Sequence, residues 1–195
     1  VNEAHLIYFS PTHTSKQVAE AIVHGTGIKN VISMNLTLQT VEETVIPTSA
    51  LAVIVVPVYG GHVAPLAMER LESIRGLDTP AVLVVVYGNR AYEDALLELS
   101  DILKEQGFIP AAAAAVVTEH NIAHVYGTGR PDEKDKKEMT AFAEAVKEKL
   151  KNTAGSTKLS ELSIKGNRPY RPYGTLPLKI SVSSACENCG TCIRK

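Results

Sequence analysis

Five short runs of mostly apolar residues recur along the chain, separated by longer stretches in which apolar and polar positions follow a helical spacing. The runs cover residues 5–9, 31–36, 51–59, 81–88 and 111–118. Near-continuous apolar character, without strict alternation, is typical of strands that helices cover on both faces. The pattern therefore predicts buried strands in a parallel sheet.

The stretches between these runs predict amphipathic helices. In the first of them, Val18 and Ile22 fall on one helical face, and Gly25 is placed as a C-terminal stop. The helices predicted in this way cover residues 14–25, 65–76, 91–107 and 131–152. We interpret the alternation as five βα units of a doubly wound α/β fold, with five parallel strands in the order 2-1-3-4-5 and helices on both faces.

The pattern changes after residue 152, where prolines and turn residues replace the periodicity. We therefore divide the chain into an α/β domain at 1–152, an irregular linker or strap at 153–185, and the start of a cysteine motif at 186–195. The linker and the motif together form an irregular C-terminal extension of the domain.

Composition and charge narrow the function classes. The chain has 195 residues and a net charge of −1, from 20 Lys and Arg against 21 Asp and Glu. No overall field favours nucleic acid or an anionic membrane, so neither is expected as a partner. The longest apolar run is too short to span a bilayer, and the N-terminal residues lack the pattern of a signal peptide. These features predict a cytoplasmic protein, and they leave its oligomeric state undetermined.

The first loop that carries candidate chemistry follows the first predicted strand and precedes a helix. Ser10, Thr12, Thr14 and Ser15 place four hydroxyls where a helix presents free amides and its positive end, which favours a phosphate. No Gly-x-x-x-x-Gly-Lys or Gly-x-Gly-x-x-Gly motif is present in the chain, which disfavours nucleoside triphosphates and dinucleotides. Helix capping alone is the alternative for one of these hydroxyls.

Two further loops place tyrosines beside glycines at the ends of the third and fourth predicted strands. Their candidate binding residues are Pro57, Val58, Tyr59, Gly60, Gly61, Tyr87, Gly88, Asn89 and Tyr92. Together with the first loop they suit a planar heterocycle that bears a phosphate, and flavin mononucleotide (FMN) is the candidate. Each Tyr-Gly pair by itself is also ordinary turn chemistry.

All three cysteines lie at the C-terminal end of the sequence. Cys186, Cys189 and Cys192 follow a C-x2-C-x2-C spacing, which opens a bacterial iron–sulfur motif. A structural zinc site of the Cys3His type is the alternative. Of the dispersed histidines, those that follow predicted strand ends are candidates to face a bound ring and tune its charge: His13, His62 and His120.

The chain resembles flavodoxin-like proteins, whose phosphate loop reads Ser/Thr-x-Thr-Gly-x-Ser/Thr after the first strand. Ser10, Thr12 and Ser15 match that pattern, Thr14 takes the variable place, and His13 replaces the glycine. In that place His13 either adds an imidazole to the phosphate shell or crowds it. More narrowly, "YFSPTHTSKQVAEAI", "PVYGGHVAP", "VYGNRAYEDAL" and "EHNIAHVYGTGRPDEKD" resemble bacterial and archaeal fusions of a flavodoxin-like domain to a C-terminal ferredoxin module.

The resemblance implies FMN at the three loops and 4Fe-4S clusters in a module that continues beyond the third cysteine. Cys186, Cys189 and Cys192 then correspond to the first three ligands of one cluster. With three thiolates alone, the present chain is not expected to hold a stable 4Fe-4S cluster.

Three functions remain open from the sequence. The first is an electron-transfer oxidoreductase or carrier that moves electrons between iron–sulfur clusters and FMN, with a redox protein or a small electron acceptor as its partner. The second is a flavodoxin-like binding or scaffold module that no longer holds flavin. The third is a flavin-dependent reductase of a small substrate such as a quinone. No residue is assigned a catalytic role.

Overall fold

The structure, a computed structural model, describes residues 1–38, 42–153, 159–174 and 181–191. Its strands are β1 (Glu3–Tyr8), β2 (Asn30–Asn35), β3 (Thr44–Ile46), β4 (Ala50–Tyr59), β5 (His62–Val63), β6 (Ile74–Gly76), β7 (Thr79–Tyr87) and β8 (Phe108–Val117). Its helices are α1 (Thr14–Thr26), α2 (Pro65–Leu71), α3 (Ala95–Glu105) and α4 (Glu133–Thr153).

The main sheet contains five parallel strands in the order β2-β1-β4-β7-β8. These are the five strands that the apolar runs predict, so the doubly wound α/β fold and the predicted strand order are confirmed. Strand β5 adds a short antiparallel pair at the end of β4, where Tyr59 lies opposite His62. This hairpin carries one wall of the site described below.

Helices cover the two faces of the sheet and form two apolar clusters with it. On one face, Leu99 of α3 belongs to the same cluster as Ile54 of β4. On the other, Ile22 of α1 and Val146 of α4 share a cluster with Val53 of β4. Successive residues of β4 thus face opposite layers, and burial on both sides explains its unbroken apolar sequence.

The expectation that every strand is buried is wrong for β2. This strand forms an edge of the sheet, and Val31 and Ile32 are 36% and 42% exposed. No helix lies between β2 and β4 within residues 30–38 and 42–59, so the interpretation as five βα units is also wrong. A small parallel pair of β3 with β6 is present instead, with Val45 opposite Arg75.

All four predicted helices end at other residues than expected, by only one or two residues for α3 and α4. Helix α1 continues past Gly25 and ends at Thr26, and Gly27 takes a left-handed φ of 70° and donates its amide to the carbonyl of His24 at 3.0 Å. Helix α2 stops at Leu71, because the following residues leave the helix to form β6. None of the helices in the described ranges is long and apolar enough to cross a membrane.

Candidate functional site

A cavity of about 500 Å³, here called the main cavity, opens at the carboxyl ends of the parallel strands. The loops after β1, β4, β7 and β8 line it, which is where open α/β sheets bind ligands. The binding residues proposed from the sequence that line it are Thr12, Thr14, Pro57, Val58, Tyr59, Gly60, Tyr87 and Gly88, and His120, a candidate to face a bound ring, also lines it. The remaining proposed residues of these loops are not among its lining: Ser10, His13, Ser15, Gly61, Asn89 and Tyr92.

The hydroxyls of the first loop have different roles. Ser10 is buried, and its hydroxyl accepts a hydrogen bond from the amide of Lys16 at 2.9 Å, as a helix cap does. Ser15 is also buried, at 2% exposure. Thr12 and Thr14 line the main cavity, so these two side chains lie where a ligand would bind.

His13 occupies the position before α1 in a left-handed conformation, with φ 66° and ψ −11°. Glycine adopts this conformation without strain, whereas a side chain disfavours it. The His13 side chain is exposed and caps no amide of the helix. The histidine thus keeps the backbone path of a glycine, and its ring stays outside the lining of the main cavity.

The β4–β5 hairpin forms a second wall. Gly60 and Gly61 connect its strands with positive φ values of 63° and 92°. A side chain at Gly61 would meet Glu93 and Arg171 within 3.1 Å, so this backbone is closely packed against neighbouring loops. Tyr59 is 39% exposed at the cavity, and its partial burial raises the pKa of the phenol above its ordinary value.

The loop after β7 packs closely against the loop after β8. A Cβ atom at Gly88 would lie 2.6 Å from Cδ2 of His120, so only glycine allows this approach. Tyr87 lines the cavity and makes an edge contact with Tyr92, whose ring centroid is 5.5 Å away. The second tyrosine thus supports the first from outside the cavity.

Residues 118–122, which follow β8, form a further wall. Of these, the sequence indicated only His120, as a candidate to face a bound ring. The side-chain oxygen of Asn121 accepts a hydrogen bond from the hydroxyl of Thr12 at 2.9 Å, which joins this wall to the first loop. The sequence signals for this wall were the position of His120 after a predicted strand and the family resemblance of the segment "EHNIAHVYGTGRPDEKD". The connection from β8 to α4 is long, so the sequence does not show that residues 118–122 lie beside the first loop.

A second cavity of about 310 Å³ adjoins the first. The two share Thr12, Thr14, Glu119 and Asn121. Glu119 accepts hydrogen bonds from the amide of Gly129 at 2.8 Å and from His124 at 2.7 Å, which hold the pKa of its carboxyl below the usual range. Hydrogen bonds between residues of the same segment therefore stabilise the polar connection between β8 and α4.

The segment 159–174, here called the strap, crosses α3 and its preceding loop. Asp94 is 3% exposed and accepts bonds from the amides of Asn167 and Arg171 at 2.8 and 2.9 Å. The Arg171 amide, followed by that of Asn167, holds the pKa of Asp94 below its ordinary value. A buried carboxylate of α3's N-terminal loop therefore anchors the strap backbone.

Two further contacts extend the docking of the strap along α3. Arg168 and Tyr170 both donate to the carboxylate of Asp101, at 2.8 and 2.5 Å. The Arg168 guanidinium is the main cause of the lowered pKa of Asp101. Burial, followed by the bond to Asp101, raises the pKa of Tyr170 to about 12.

The strap ends against the hairpin of the main cavity. The ring of Tyr173 stacks on His62 with a centroid distance of 4.2 Å, and its hydroxyl donates to the carbonyl of Val63 at 3.0 Å. His62 is 4% exposed and lies 3.3 Å from Glu98 through Nδ1. His62 thus joins the strap to the hairpin, although it does not line the cavity.

The cysteine motif is only partly described. Cys186 and Cys189 are exposed, and neither forms a disulfide within the described residues. The Thr191 hydroxyl, 3.3 Å away, lowers the pKa of Cys189. Cys192 lies outside the described residues, and no group of three His, Cys, Asp or Glu side chains within them is placed to hold a metal ion.

Comparisons with known proteins bear on the fold. An archaeal flavodoxin matches 76% of this chain and 99% of its own, with a TM-score of 0.53 and 18% identity. The flavodoxin of Streptococcus pneumoniae TIGR4 matches 75% of this chain and 99% of its own, with a TM-score of 0.54 and 14% identity. The fold is flavodoxin-like.

Larger proteins contain the same flavodoxin-like fold. The rubredoxin oxygen:oxidoreductase of Desulfovibrio gigas matches 77% of this chain with a TM-score of 0.55 and 18% identity, but the match covers only 37% of that enzyme. No protein-family model and no curated protein sequence matches the chain. The structural likeness is therefore one of fold.

Proposed function

We propose that the main cavity binds FMN and that the protein transfers electrons through it. The observation that carries this proposal is the arrangement of the lining. Thr12 and Thr14 lie at the start of α1, and Tyr59 and Tyr87 belong to the same cavity. One end thus suits a phosphate and the other suits a planar ring, as the flavodoxin-like loop pattern implies.

The residues present fit each part of FMN. The hydroxyls of Thr12 and Thr14, with the amides of Thr14 and Ser15 at the start of α1, would hold the phosphate. Tyr59, Tyr87 and the backbone at Gly60 would hold the ring. The space beside Gly60 is open to a ligand, because a Cβ atom placed there would have no neighbour within 4 Å. His13 does not obstruct the cavity, because its ring is outside the lining.

When bound, FMN supplies a centre that exchanges one electron with a metal cluster and two with an organic molecule. The protein's own contribution is to bind and orient the ring and to limit its contact with water. The electron partner outside the chain is, in this proposal, a redox protein or a small acceptor.

The decisive experiment compares FMN with riboflavin, which has the same ring but lacks the phosphate. Fluorescence titration of the purified chain is expected to show one FMN site and much weaker riboflavin binding, because a lost charge-assisted hydrogen bond costs roughly 1.5–3 kcal/mol. Equal affinities would contradict the phosphate site. Absence of FMN binding would contradict the proposal and favour the scaffold alternative.

We further propose that the cysteine tail belongs to an iron–sulfur module that exchanges electrons with the flavin. The C-x2-C-x2-C spacing supports it, and so does the strap, which docks beside the cavity wall at Tyr173 before the tail begins. Anaerobic reconstitution with iron and sulfide, followed by absorption and EPR spectroscopy, tests for a cluster. A stoichiometric zinc ion in the purified protein would favour the structural Cys3His site instead.

A further inference from the structure

Three histidines follow strand ends, and each lies in a different environment. His13 is exposed before α1, and His62 is buried under Tyr173. His120 is the histidine that lines the main cavity within the described residues. It is therefore the imidazole in a position to meet a ligand there.

Hydrogen bonds determine which nitrogen of His120 carries the proton. Its Nδ1 atom accepts from the amides of Ile122 and Ala123, at 3.1 and 3.0 Å. A nitrogen that accepts a hydrogen bond carries no proton, so the neutral ring has its N–H at Nε2. Nε2 makes no hydrogen bond to another described residue.

The ring is also held in place. Gly88 packs against its Cδ2 edge, and Tyr126 makes an edge contact with a centroid distance of 6.5 Å. The backbone on either side is tied, since the amide of His120 donates to the carbonyl of Tyr126 at 3.0 Å. A side chain whose tautomer and orientation are fixed in advance is a pre-organised donor.

We propose that His120 binds the ligand of the main cavity. Its Nε2–H group donates a hydrogen bond to an acceptor atom on the edge of the ligand's planar ring. The inference rests on the proposed function, which makes that ligand FMN. A hydrogen bond to an acceptor that carries more negative charge is stronger. His120 is therefore expected to favour reduced over oxidised FMN and to raise the reduction potential of the bound flavin.

Two substitutions separate the donor from the ring. H120F keeps an aromatic ring without a donor, whereas H120Q places a donor near the position of Nε2, and both lose the Nδ1 acceptor. H120F is expected to weaken the preference for reduced over oxidised FMN about tenfold. For a two-electron couple, a tenfold change lowers the reduction potential of the bound flavin by about 30 mV. H120Q should restore much of this lost potential. His24, exposed on α1, provides the control H24F.

A second measurement needs no flavin. Nitrogen-15 NMR of the histidine-labelled chain is expected to show the His120 proton at Nε2, and a proton at Nδ1 would overturn the inference. If the wild-type chain binds FMN but H120F leaves the potential unchanged, this inference alone is wrong. If the wild-type chain binds no FMN, the proposed function and the inference fall together.

Discussion

The hydroxyl of Thr12 donates to the side-chain oxygen of Asn121 at 2.9 Å, across two loops that are 109 residues apart in sequence. Both residues line both cavities, so the bond lies at the boundary between them. A hydroxyl has one hydrogen to donate. Thr12 must therefore leave Asn121 before it donates to a phosphate.

This competition leads to the first prediction. T12V is expected to weaken FMN binding about tenfold or more, because it removes a donor to a charged group worth roughly 1.5–3 kcal/mol. N121A is expected to leave the affinity within a few-fold or to tighten it, because Thr12 is released. Isothermal titration calorimetry measures both dissociation constants.

T48V is the matched control, since Thr48 precedes β4 at the opposite end of the sheet and donates to the carbonyl of Asp78. If N121A weakened FMN binding more than T12V does, Asn121 itself would be the ligand-binding group and the competition argument would fail.

The second prediction concerns the left-handed backbone at His13. H13G is expected to raise the free energy of unfolding by about 1 kcal/mol, because glycine adopts a positive φ without the cost of a side chain. Urea denaturation measures this change. The affinity for FMN should be equal or slightly lower, and a large gain would show that the histidine obstructs the phosphate site.

The third prediction tests the anchor of the strap. In D94N an amide group replaces one carboxylate oxygen and faces a backbone donor of Asn167 or Arg171. Hydrogen exchange at these two amides is expected to accelerate roughly tenfold or more, since hydrogen bonds to charged groups are the stronger ones. D78N, at an exposed turn, is the control. Unchanged protection in D94N would mean that the strap is held elsewhere.

The fourth prediction concerns pH. The pKa values of Asp94 and Asp101 are lowered in the docked strap by Arg171, Asn167 and Arg168. Their contribution to docking is fully present above the ordinary aspartate pKa of about 3.9 and is lost as pH falls through the lowered values. Exchange protection of the strap should therefore decrease below about pH 4. Stronger protection in acid would contradict this assignment.

The fifth prediction concerns the contact between α1 and α4. A Cβ atom at Gly25 would lie 2.7 Å from Cβ of Ala143, so G25V forces the two helices apart. The expected cost is roughly 1–3 kcal/mol of stability, as for other overpacked cores. E20V places the same residue on the exposed face of α1 and should cost much less. Helix propensity alone would make G25V slightly stabilising, because valine is a better helix former than glycine. A loss in thermal unfolding no larger for G25V than for E20V would therefore contradict the close packing of Gly25 against α4.

The central sheet was predictable because its signal is local. Strands β4 and β7 are buried on both faces, so nearly every residue in them is apolar. The exposed edge strand β2 contains the polar residues Asn30, Ser33 and Asn35, which indicate exposure, but its apolar residues alone led to the prediction of a buried strand. The pairing of β3 with β6 joins segments of three residues each, which are too short for a periodic pattern.

The candidate site was predictable where its residues end a strand or lie in the loop after the first strand. Thr12, Tyr59 and Tyr87 were found in that way. Asn121 and Asp94 were not, because their roles depend on partners more than 70 residues away in the sequence. Such long-range contacts have no spacing that a single sequence displays.

The strap and the wall formed by residues 118–122 approach the main cavity from different helical layers. The strap lies on α3, whereas the wall continues into α4 on the other face of the sheet. A group tethered after Gly174 therefore starts on one side of the molecule. Ile122, in the wall formed by residues 118–122, is 86% exposed to solvent. In the proposed function, a tethered and a diffusing partner therefore have separate approaches to the main cavity, and neither needs to displace the other.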